Sequence, residues 1–197
     1  MLIEFNSIPN VLDNGIKEIA KYLNISIDKG GFVCKARKVD YQGLSVSFDG
    51  NVISIEYAEK HHFFRALGLA IQHIQNGEKS FEIKEKAFFR SNGPMFDLSQ
   101  AASAFNVTEL KSIIIQLALM GLNTLMLYTE DNYEVESQPY FGYMRPKYSQ
   151  KDLKELDDYA YDLGIEMIPC IQTLSHMQEA LKWKVLKALP TIPPVFW

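Results

Sequence analysis

The sequence predicts a mixed α/β fold in two parts: a small α+β domain over residues 1–86, then about three βα units of an incomplete (β/α)8 TIM-type barrel over residues 87–183. Two observations lead to this prediction. In the first part, alternating strand patterns and a hairpin signal lie between amphipathic helices. In the second part, short apolar runs alternate with helices, which is typical of a parallel sheet covered by helices.

The first part contains five predicted elements with clear patterns and one short strand. They are a strand at Met1–Asn6, a helix at Asn10–Asn24, strands at Leu44–Phe48 and Val52–Tyr57, a helix at His61–Ile74 and a strand at Phe81–Ile83. The turn Asp49-Gly50-Asn51 between the two alternating runs is a strong hairpin signal. We do not expect His61 and His62 to bind a metal, because adjacent side chains on a helix diverge by about 100°.

The second part repeats strand and helix. We predict strands at Pro94–Leu98, Asn123–Tyr128 and Ile165–Ile171, helices at Val107–Met120 and Gln150–Leu163, and a long loop from Thr129 to Tyr148. Ser149 is the expected N-cap of the second helix. In the first helix, Leu110, Ile113, Ile114, Leu117 and Met120 are expected to face inward. An open doubly wound sheet and a barrel both fit this pattern. The first strand lacks a Gly-rich phosphate turn, which favours the barrel.

Composition excludes several classes of partner. The net charge is −4, and 47% of residues are hydrophobic, so neither nucleic acid nor an anionic membrane is expected to bind. The N-terminus resembles no signal peptide, and the protein is expected to be cytoplasmic. We expect the two cysteines, Cys34 and Cys170, to be buried free thiols in a reducing compartment.

Polar side chains follow each predicted strand of the second part. Strand one ends in Asp97-Leu98-Ser99, strand two in Tyr128-Thr129-Glu130-Asp131-Asn132-Tyr133, and strand three is followed by Gln172-Thr173-Leu174-Ser175-His176. In βα barrels, functional side chains cluster at these carboxyl ends. Carboxylate, amide, hydroxyl, imidazole and phenol groups suit a neutral polyhydroxylated ligand. They suit phosphate poorly, because the three segments contain no Lys or Arg.

Simpler interpretations stay open for each of these residues. Asp97 could cap the next helix, Glu130 and Asp131 could form a solvated turn, and His176 could be an ordinary loop histidine. The loop aromatics Tyr133, Tyr140, Phe141 and Tyr143 could serve only to pack the loop.

The order of these features resembles the family 20 glycoside hydrolases, the β-N-acetylhexosaminidases. An acidic pair follows strand two, and the loop leads to Tyr148-Ser149-Gln150-Lys151-Asp152. A helix then ends in Gly164-Ile165, and strand three contains Ile168-Pro169 and precedes His176. The segment Gly93–Ser99 resembles the first barrel strand of that family, and the N-terminal layer resembles its small α/β domain. The resemblance extends to about Trp183.

The sequence also departs from the family pattern. The family motif Pro-Glu-x-Asp-x-Pro-Gly-His keeps only its Pro and His in Pro169–His176. The usual Arg-Gly opening of strand one is Asn92-Gly93, so Arg90 becomes the candidate to grip sugar hydroxyls. These traits resemble a divergent, intracellular bacterial branch that acts on small sugars. Residues 184–197 form a divergent tail that does not resemble the family.

The resemblance implies substrate-assisted retaining hydrolysis of terminal β-linked GlcNAc or GalNAc, one of the exceptions to the two-carboxylate mechanism. The family's catalytic Asp-Glu pair follows the fourth barrel strand. We therefore expect this chain to be truncated before that pair and inactive alone. His176 and Asp131 are the best candidates for polar contacts near the acid, and the weaker ones are Arg90, Asp97, Glu130 and Gln172. The resemblance implies no metal and no organic cofactor; the implied partner is an N-acetylhexosamine-containing glycan or small glycoside.

Two other functions fit the same residues. The chain could be a non-catalytic carbohydrate-binding remnant, or an unrelated βα-barrel enzyme such as an aldolase. An aldolase would need a Schiff-base Lys on a barrel strand, and the strands Asn123–Tyr128 and Ile165–Ile171 contain none. The missing half of the barrel would expose two apolar sheet edges, so we expect self-association or marginal stability.

Overall fold

The computed structural model describes residues 1–99, 105–173 and 175–184, which form two sheets with helices packed between and around them. The strands of the first sheet are β1 (Leu2–Phe5), β2 (Ser26–Ile27), β3 (Phe32–Lys38), β4 (Gly43–Phe48), β5 (Val52–Tyr57) and β6 (Phe81–Lys86). Their spatial order is β2-β1-β3-β5-β4-β6. A 3-10 turn at Asn10–Leu12 leads into helix α1 (Asp13–Tyr22), and helix α2 spans Lys60–Gln75.

The predicted hairpin is confirmed. Strands β4 and β5 pair antiparallel, with Val46 opposite Ile55. The Asp49 carboxylate closes the turn, because its Oδ1 accepts the backbone N–H groups of Asn51 at 3.0 Å and Val52 at 2.8 Å. Strand β6 then pairs antiparallel with β4 on the other side.

Strand β3 is the main element of this sheet that the sequence analysis missed. It pairs parallel with β1 on one side and with β5 on the other. Its sequence, FVCKARK, contains three basic residues, so its apolar alternation is weak. Cys34 is nevertheless fully buried, and burial raises the pKa of its thiol to about 12. The prediction of a buried free thiol is confirmed for Cys34.

The second sheet is parallel, as predicted. Strand β8 (Thr124–Thr129) pairs with β7 (Met95–Asp97) on one side and with β9 (Glu166–Ile171) on the other. The accompanying helices are α3 (Val107–Leu119), α4 (Gln150–Asp162) and the short α5 (Gln178–Leu181). Ser149 is the N-cap of α4, as expected: its Oγ accepts the Asp152 N–H at 3.1 Å, and the Asp152 carboxylate accepts the Ser149 N–H at 2.9 Å.

The inward face of α3 differs from the predicted one. Leu110, Ile114 and Leu117 are buried as expected, but Met120 is 62% exposed. Helix α3 ends at Leu119 and Met120 is its C-cap, with α-helical backbone angles, so its exposure comes from its place at the end of the helix and not from a change of period.

One hydrophobic core connects the two sheets, since buried residues on both sides of residue 86 belong to the same cluster. Helices α1, α2 and α4 meet at Gly15. A Cβ there would overlap the ring of Phe64 and lie 2.8 Å from the carbonyl oxygen of Asp162. Only a glycine allows the three helices to approach this closely.

The outer edges of β7 and β9 have no further strand partner in the described ranges. Met95 on β7 and Ile171 on β9 are exposed. Self-association through these edges stays a prediction. Residues 185–197 of the divergent tail lie outside the described residues. None of the described helices combines the length and apolar character that a membrane span requires.

A histidine pair begins helix α2. The Nδ1 atom of His62 accepts the N–H of Glu59 at 3.2 Å, so this nitrogen is unprotonated. The expected divergence of the two rings is wrong: the centroids of His61 and His62 are 4.0 Å apart, because His62 folds back towards the helix start. Burial, and then the charge of His62, lowers the pKa of His61 to about 4. Burial also lowers the pKa of His62, although Glu59 and Glu85 oppose this.

We expect acid to destabilise the fold through this pair. Below the ordinary histidine pKa of 6.5, the unfolded chain takes up protons that the folded chain does not. The free energy of unfolding should therefore fall between pH 6.5 and about pH 4, by on the order of 1–2 kcal/mol. Urea unfolding at pH 7 and pH 5 measures this loss. The double variant His61→Gln/His62→Gln should lose less over the same interval, and an unchanged loss would contradict the assignment.

Candidate functional site

A row of three polar side chains crosses the carboxyl edge of the second sheet. Asp97, Tyr128 and Cys170 are register partners on β7, β8 and β9. Register partners in a parallel sheet point to the same face. The three side chains therefore share one face of the sheet, close to the edge where βα enzymes place their functional groups.

This row lies on the face that the helices leave open. Leu125 and Leu127 of β8 are buried in the core with α3 and α4. Because side chains alternate along a strand, Met126 and Tyr128 point the other way. Met95, the register partner of Met126, is exposed on that face. The open face is therefore available for a ligand at its carboxyl end.

Acidic groups surround the Tyr128 phenol. Burial raises the pKa of Tyr128, and the nearby charges of Glu130 and Asp97 raise it further. Glu130 is buried, whereas Asp97 is exposed. Two carboxylates and a phenol thus meet at the carboxyl edge. There they can accept hydrogen bonds from hydroxyl groups and donate hydrogen bonds to them.

Asp97 does not cap the following helix, which was the simpler interpretation. Its Oδ1 instead accepts the Ser99 N–H at 2.8 Å and the Ser99 hydroxyl at 2.6 Å. The N-cap of α3 is Asn106, whose side chain accepts the N–H of Glu109. Asp97 therefore orders the turn directly after β7.

Asp131, next to Glu130, has a different environment. Its side chain is only 2% exposed, and Nη1 of Arg145 lies 2.8 Å from its Oδ1. The N–H direction is not aligned with this oxygen, so the contact is an ion pair without a regular hydrogen bond. Arg145 is 16% exposed, and its Nη2 donates to the Ser99 carbonyl. The guanidinium therefore connects the segments that follow β7 and β8.

The long loop after β8 is held by its own backbone contacts. The N–H of Tyr148 donates to the carbonyl of Asn132, and the N–H of Glu134 donates to the carbonyl of Tyr148, both at 2.9 Å. Gly142 has a φ of +64°, and a Cβ there would overlap the carbonyl oxygen of Asp131. The loop can therefore pack against the end of β8 only with glycine at this position.

The third strand contributes two further candidates. The backbone N–H of Gln172 donates to the Thr129 carbonyl at 3.0 Å, which extends the sheet ladder by one residue. Its side chain is half-buried. His176 is exposed and has a φ of +57°. Asp97 ends β7, and Glu130, Asp131 and Gln172 directly follow β8 and β9, so the structure brings these four to one edge, whereas His176 lies five residues beyond β9.

Arg90 does not join them. Its carbonyl accepts the Asn123 Nδ2 at 2.8 Å, and Asn123 precedes the first residue of β8. Arg90 is thus at the amino edge, about 16 Å of strand away from the carboxyl edge. A contact of Arg90 with sugar hydroxyls stays a prediction, since its backbone lies at the edge opposite Asp97.

A cleft of about 1200 Å³ lies at that amino edge, lined by residues that include Arg90, His61 and Phe89. It is far from the carboxylates described above. We assign chemistry to the carboxyl edge because acidic and phenolic groups converge there, whereas the size of a cleft says nothing about its chemistry.

The sequence analysis missed two residues of this edge and misjudged a third. The sequence analysis listed Tyr128 only as part of a strand end. The alternation of apolar side chains along that strand would have placed it on the open face. Arg145 lies within a long loop, and no local pattern connects it to Asp131. Cys170 was expected to be buried, but it is partly exposed on the open face. Across 1–99, 105–173 and 175–184, no group of three or more His, Cys, Asp or Glu side chains could hold a metal ion.

No protein-family model matches the sequence. The chain is 23% identical to the probable β-hexosaminidase fdl of Drosophila melanogaster, over 71% of this chain and 24% of that protein. The chain therefore spans about a quarter of this curated relative.

Solved structures match most of the chain. The β-N-acetylhexosaminidase of Bacteroides fragilis has a TM-score of 0.72 and 18% identity, over 92% of this chain and 42% of that one. The GH20 exo-β-N-acetylglucosaminidase of Vibrio harveyi, in complex with N-acetylglucosamine, has a TM-score of 0.69 and 18% identity, over 91% and 34%. The chain is thus a partial match to β-hexosaminidases, and at these identities the likeness establishes the fold.

The contact between Asp131 and Arg145 predicts a distinct stability pattern. Arg145→Met should lower the free energy of unfolding by about 3 kcal/mol, because it leaves a buried carboxylate without its partner. The double variant Asp131→Asn/Arg145→Met should lose less, since no unpaired charge remains. Chemical denaturation measures both values.

The exposed pair Lys154–Asp158 provides the control for this experiment. Lys154→Met should change the free energy of unfolding by less than about 1 kcal/mol. Equal losses in Arg145→Met and in the double variant would show that the ion pair is not what stabilises this loop.

Proposed function

We propose that this chain folds as the first part of a family 20 β-N-acetylhexosaminidase, with the small α/β domain at residues 1–86 and the first three βα units of the catalytic barrel at residues 87–183. One observation carries the proposal. The parallel strands β7 and β8 present Asp97, Tyr128 and Glu130 at their carboxyl edge, and Cys170 of β9 continues the same row on the face that the helices leave open. The fold match to hexosaminidases over 91% of the chain supports it.

The proposed substrate is a terminal β-linked N-acetylhexosamine, GlcNAc or GalNAc. The Vibrio harveyi structure contains N-acetylglucosamine, and we propose the same class of ligand here. Carboxylates at Asp97 and Glu130 can accept hydrogen bonds from sugar hydroxyls. The amide of Gln172 can donate as well as accept. These groups suit a neutral ligand.

The proposed reaction is substrate-assisted hydrolysis with retention. The carbonyl oxygen of the sugar's 2-acetamido group attacks the anomeric carbon while a carboxylic acid gives its proton to the leaving oxygen. The resemblance places the Asp-Glu pair for these steps after a fourth barrel strand, and the described part of the second sheet has three strands. The residues of this chain would therefore bind the sugar and order the site.

The neighbouring acids would have separate tasks in that site. Glu130 faces the phenol of Tyr128 and is the candidate for sugar contact. Asp131 is ion-paired with Arg145, so its proposed role is to hold the long loop beside the site. His176 is exposed and lies five residues beyond β9, and we propose a polar contact near the catalytic acid for its imidazole.

We expect the 197-residue chain alone to release no nitrophenol from aryl N-acetyl-β-glucosaminide or galactosaminide. Loss of a general acid costs about 10²–10⁴-fold in rate, and the Asp that orients the acetamido group would be missing as well. Release of nitrophenol, followed by absorbance, tests this. Turnover near that of ordinary glycosidases would show that the catalytic groups are within this chain.

Binding tests the substrate class directly. Saturation-transfer NMR should show transfer from the chain to N-acetylglucosamine that exceeds transfer to glucose, which lacks the acetamido group. Glu130→Gln should weaken this signal. Glu136→Gln changes an exposed carboxylate in the same loop and should leave it intact. Equal transfer to both sugars would rule out N-acetylhexosamine as the preferred ligand.

A further inference from the structure

Two neighbouring phenylalanines are strongly exposed at the amino edge. Phe88 is 89% exposed and Phe89 is 73% exposed, and both lie on the segment that joins β6 to β7. Both side chains line the cleft of about 1200 Å³ and also a smaller cleft of about 300 Å³. Large apolar side chains that are exposed beside a cavity often mark an interaction site. This place is therefore a candidate for ligand binding away from the carboxyl edge.

The segment that carries these two rings is held at both ends. The N–H of Ala87 donates to the carbonyl of Gln42 at 3.3 Å. At the other end, the amide of Asn123 donates to the Arg90 carbonyl and accepts the Asn92 N–H, both at 2.8 Å. The rings are thus positioned without a ligand, and binding would not have to order this segment first.

The histidine pair at the start of α2 forms the base between the two clefts. His61 and His62 line both of them. The turn after α4 packs closely on this base: Gly164 has a φ of +76°, and a Cβ there would lie 2.6 Å from the backbone nitrogen of His61. The base therefore connects α2, which contacts the first sheet, with α4, which contacts the second.

His62 presents a hydrogen-bond donor at this base. The residue is only 6% exposed, and its Nδ1 accepts the Glu59 N–H at 3.2 Å. Burial lowers the pKa of the ring, so at neutral pH its single ring proton lies on Nε2. Among the described residues, none accepts a hydrogen bond from this nitrogen. The Nε2–H is therefore available to an acceptor atom of a ligand.

The residues that line both clefts, which we call the cleft junction, carry no charge at neutral pH. They are Ala87, Phe88, Phe89, Asn123 and the two histidines. Burial lowers the pKa of His61 to about 4. In the smaller cleft, Arg65 and Glu85 are paired with each other at 3.0 Å. A charged ligand at the cleft junction would lose hydration without gaining an opposite charge from these residues, so an uncharged ligand is favoured.

We propose that the cleft junction binds an uncharged aromatic ring with a hydrogen-bond acceptor, with the ring against Phe88 and Phe89 and the acceptor on the Nε2–H of His62. Contacts between aromatic rings contribute beyond the area that they bury, and the His62 donor would fix the orientation of the ligand. The inference does not rest on the proposed function, because this site lies at the opposite edge of the second sheet.

Benzamide is a suitable probe, because it is uncharged and its carbonyl oxygen is an acceptor. The chain has four histidines, and NMR of the imidazole nitrogens can follow each of them. In the full chain at neutral pH, benzamide should shift the Nε2 resonance of His62 in a saturable manner. His73 and His176 line neither cleft and should not move. Benzoate has the same ring with a negative charge and should bind more weakly.

The two phenylalanines can be removed with little risk to the fold, since both side chains are exposed. Phe88→Ala/Phe89→Ala should weaken benzamide binding by about tenfold, and its melting temperature should match that of the parent chain. Tyr22 is an exposed aromatic residue of α1 that lines neither cleft. Tyr22→Ala should therefore leave the binding unchanged.

Four results would overturn this inference. The first is that benzamide leaves the His61 and His62 resonances in place. The second is that benzoate binds as tightly as benzamide, which would show no preference for an uncharged ring. The third is an equal shift of all four histidines, which would indicate non-specific binding. The fourth is unchanged affinity in the double alanine variant. None of these results bears on N-acetylglucosamine binding at the carboxyl edge.

Discussion

Helix α2 is apolar around most of its circumference, and this constraint determines how the two sheets come together. It contacts β4 and β5 on one side and α3 on the other. Arg65 joins both sides, since it donates to the Glu85 carboxylate at 3.0 Å and to the Leu119 carbonyl at 3.3 Å. A helix that is hydrophobic on all sides must be buried between layers. Residue 86 therefore marks the boundary between two sheets that share one hydrophobic core. The first sheet, through α2, fixes the position of the second.

The second sheet uses its two faces differently, and the candidate site depends on that difference. Its helix-facing residues belong to the common core, and the polar side chains of Asp97, Tyr128 and Cys170 lie on the opposite, open face. The acidic pair after β8 is divided in the same way. Glu130 lies beside the Tyr128 phenol, whereas Asp131 is enclosed with Arg145. Both carboxylates are buried, but their neighbours differ: a phenol lies beside Glu130 and a guanidinium beside Asp131.

Most of the local structure follows from patterns over a few residues. The hairpin around Asp49, the N-cap at Ser149 and the apolar strand β8 were all predictable, because turn chemistry, capping and burial on both faces leave local signals. Strand β3 was missed because its basic residues hide a weak alternation, and it is a strand chiefly because β1 and β5 pair with it. Met120 was misplaced because a residue at the end of a helix can keep the helical period and still lie outside the core.

The kinds of chemical group that follow each parallel strand could be read from the sequence alone, and parallel strands place their carboxyl ends at one edge whatever the packing. That was enough to bring Asp97, Glu130, Asp131 and Gln172 to the same edge. The tertiary structure was needed to show which of these groups are buried, that Arg145 pairs with Asp131, and that Arg90 lies at the opposite edge. These outcomes depend on contacts between residues distant in the chain, and such contacts leave no periodic trace in the sequence.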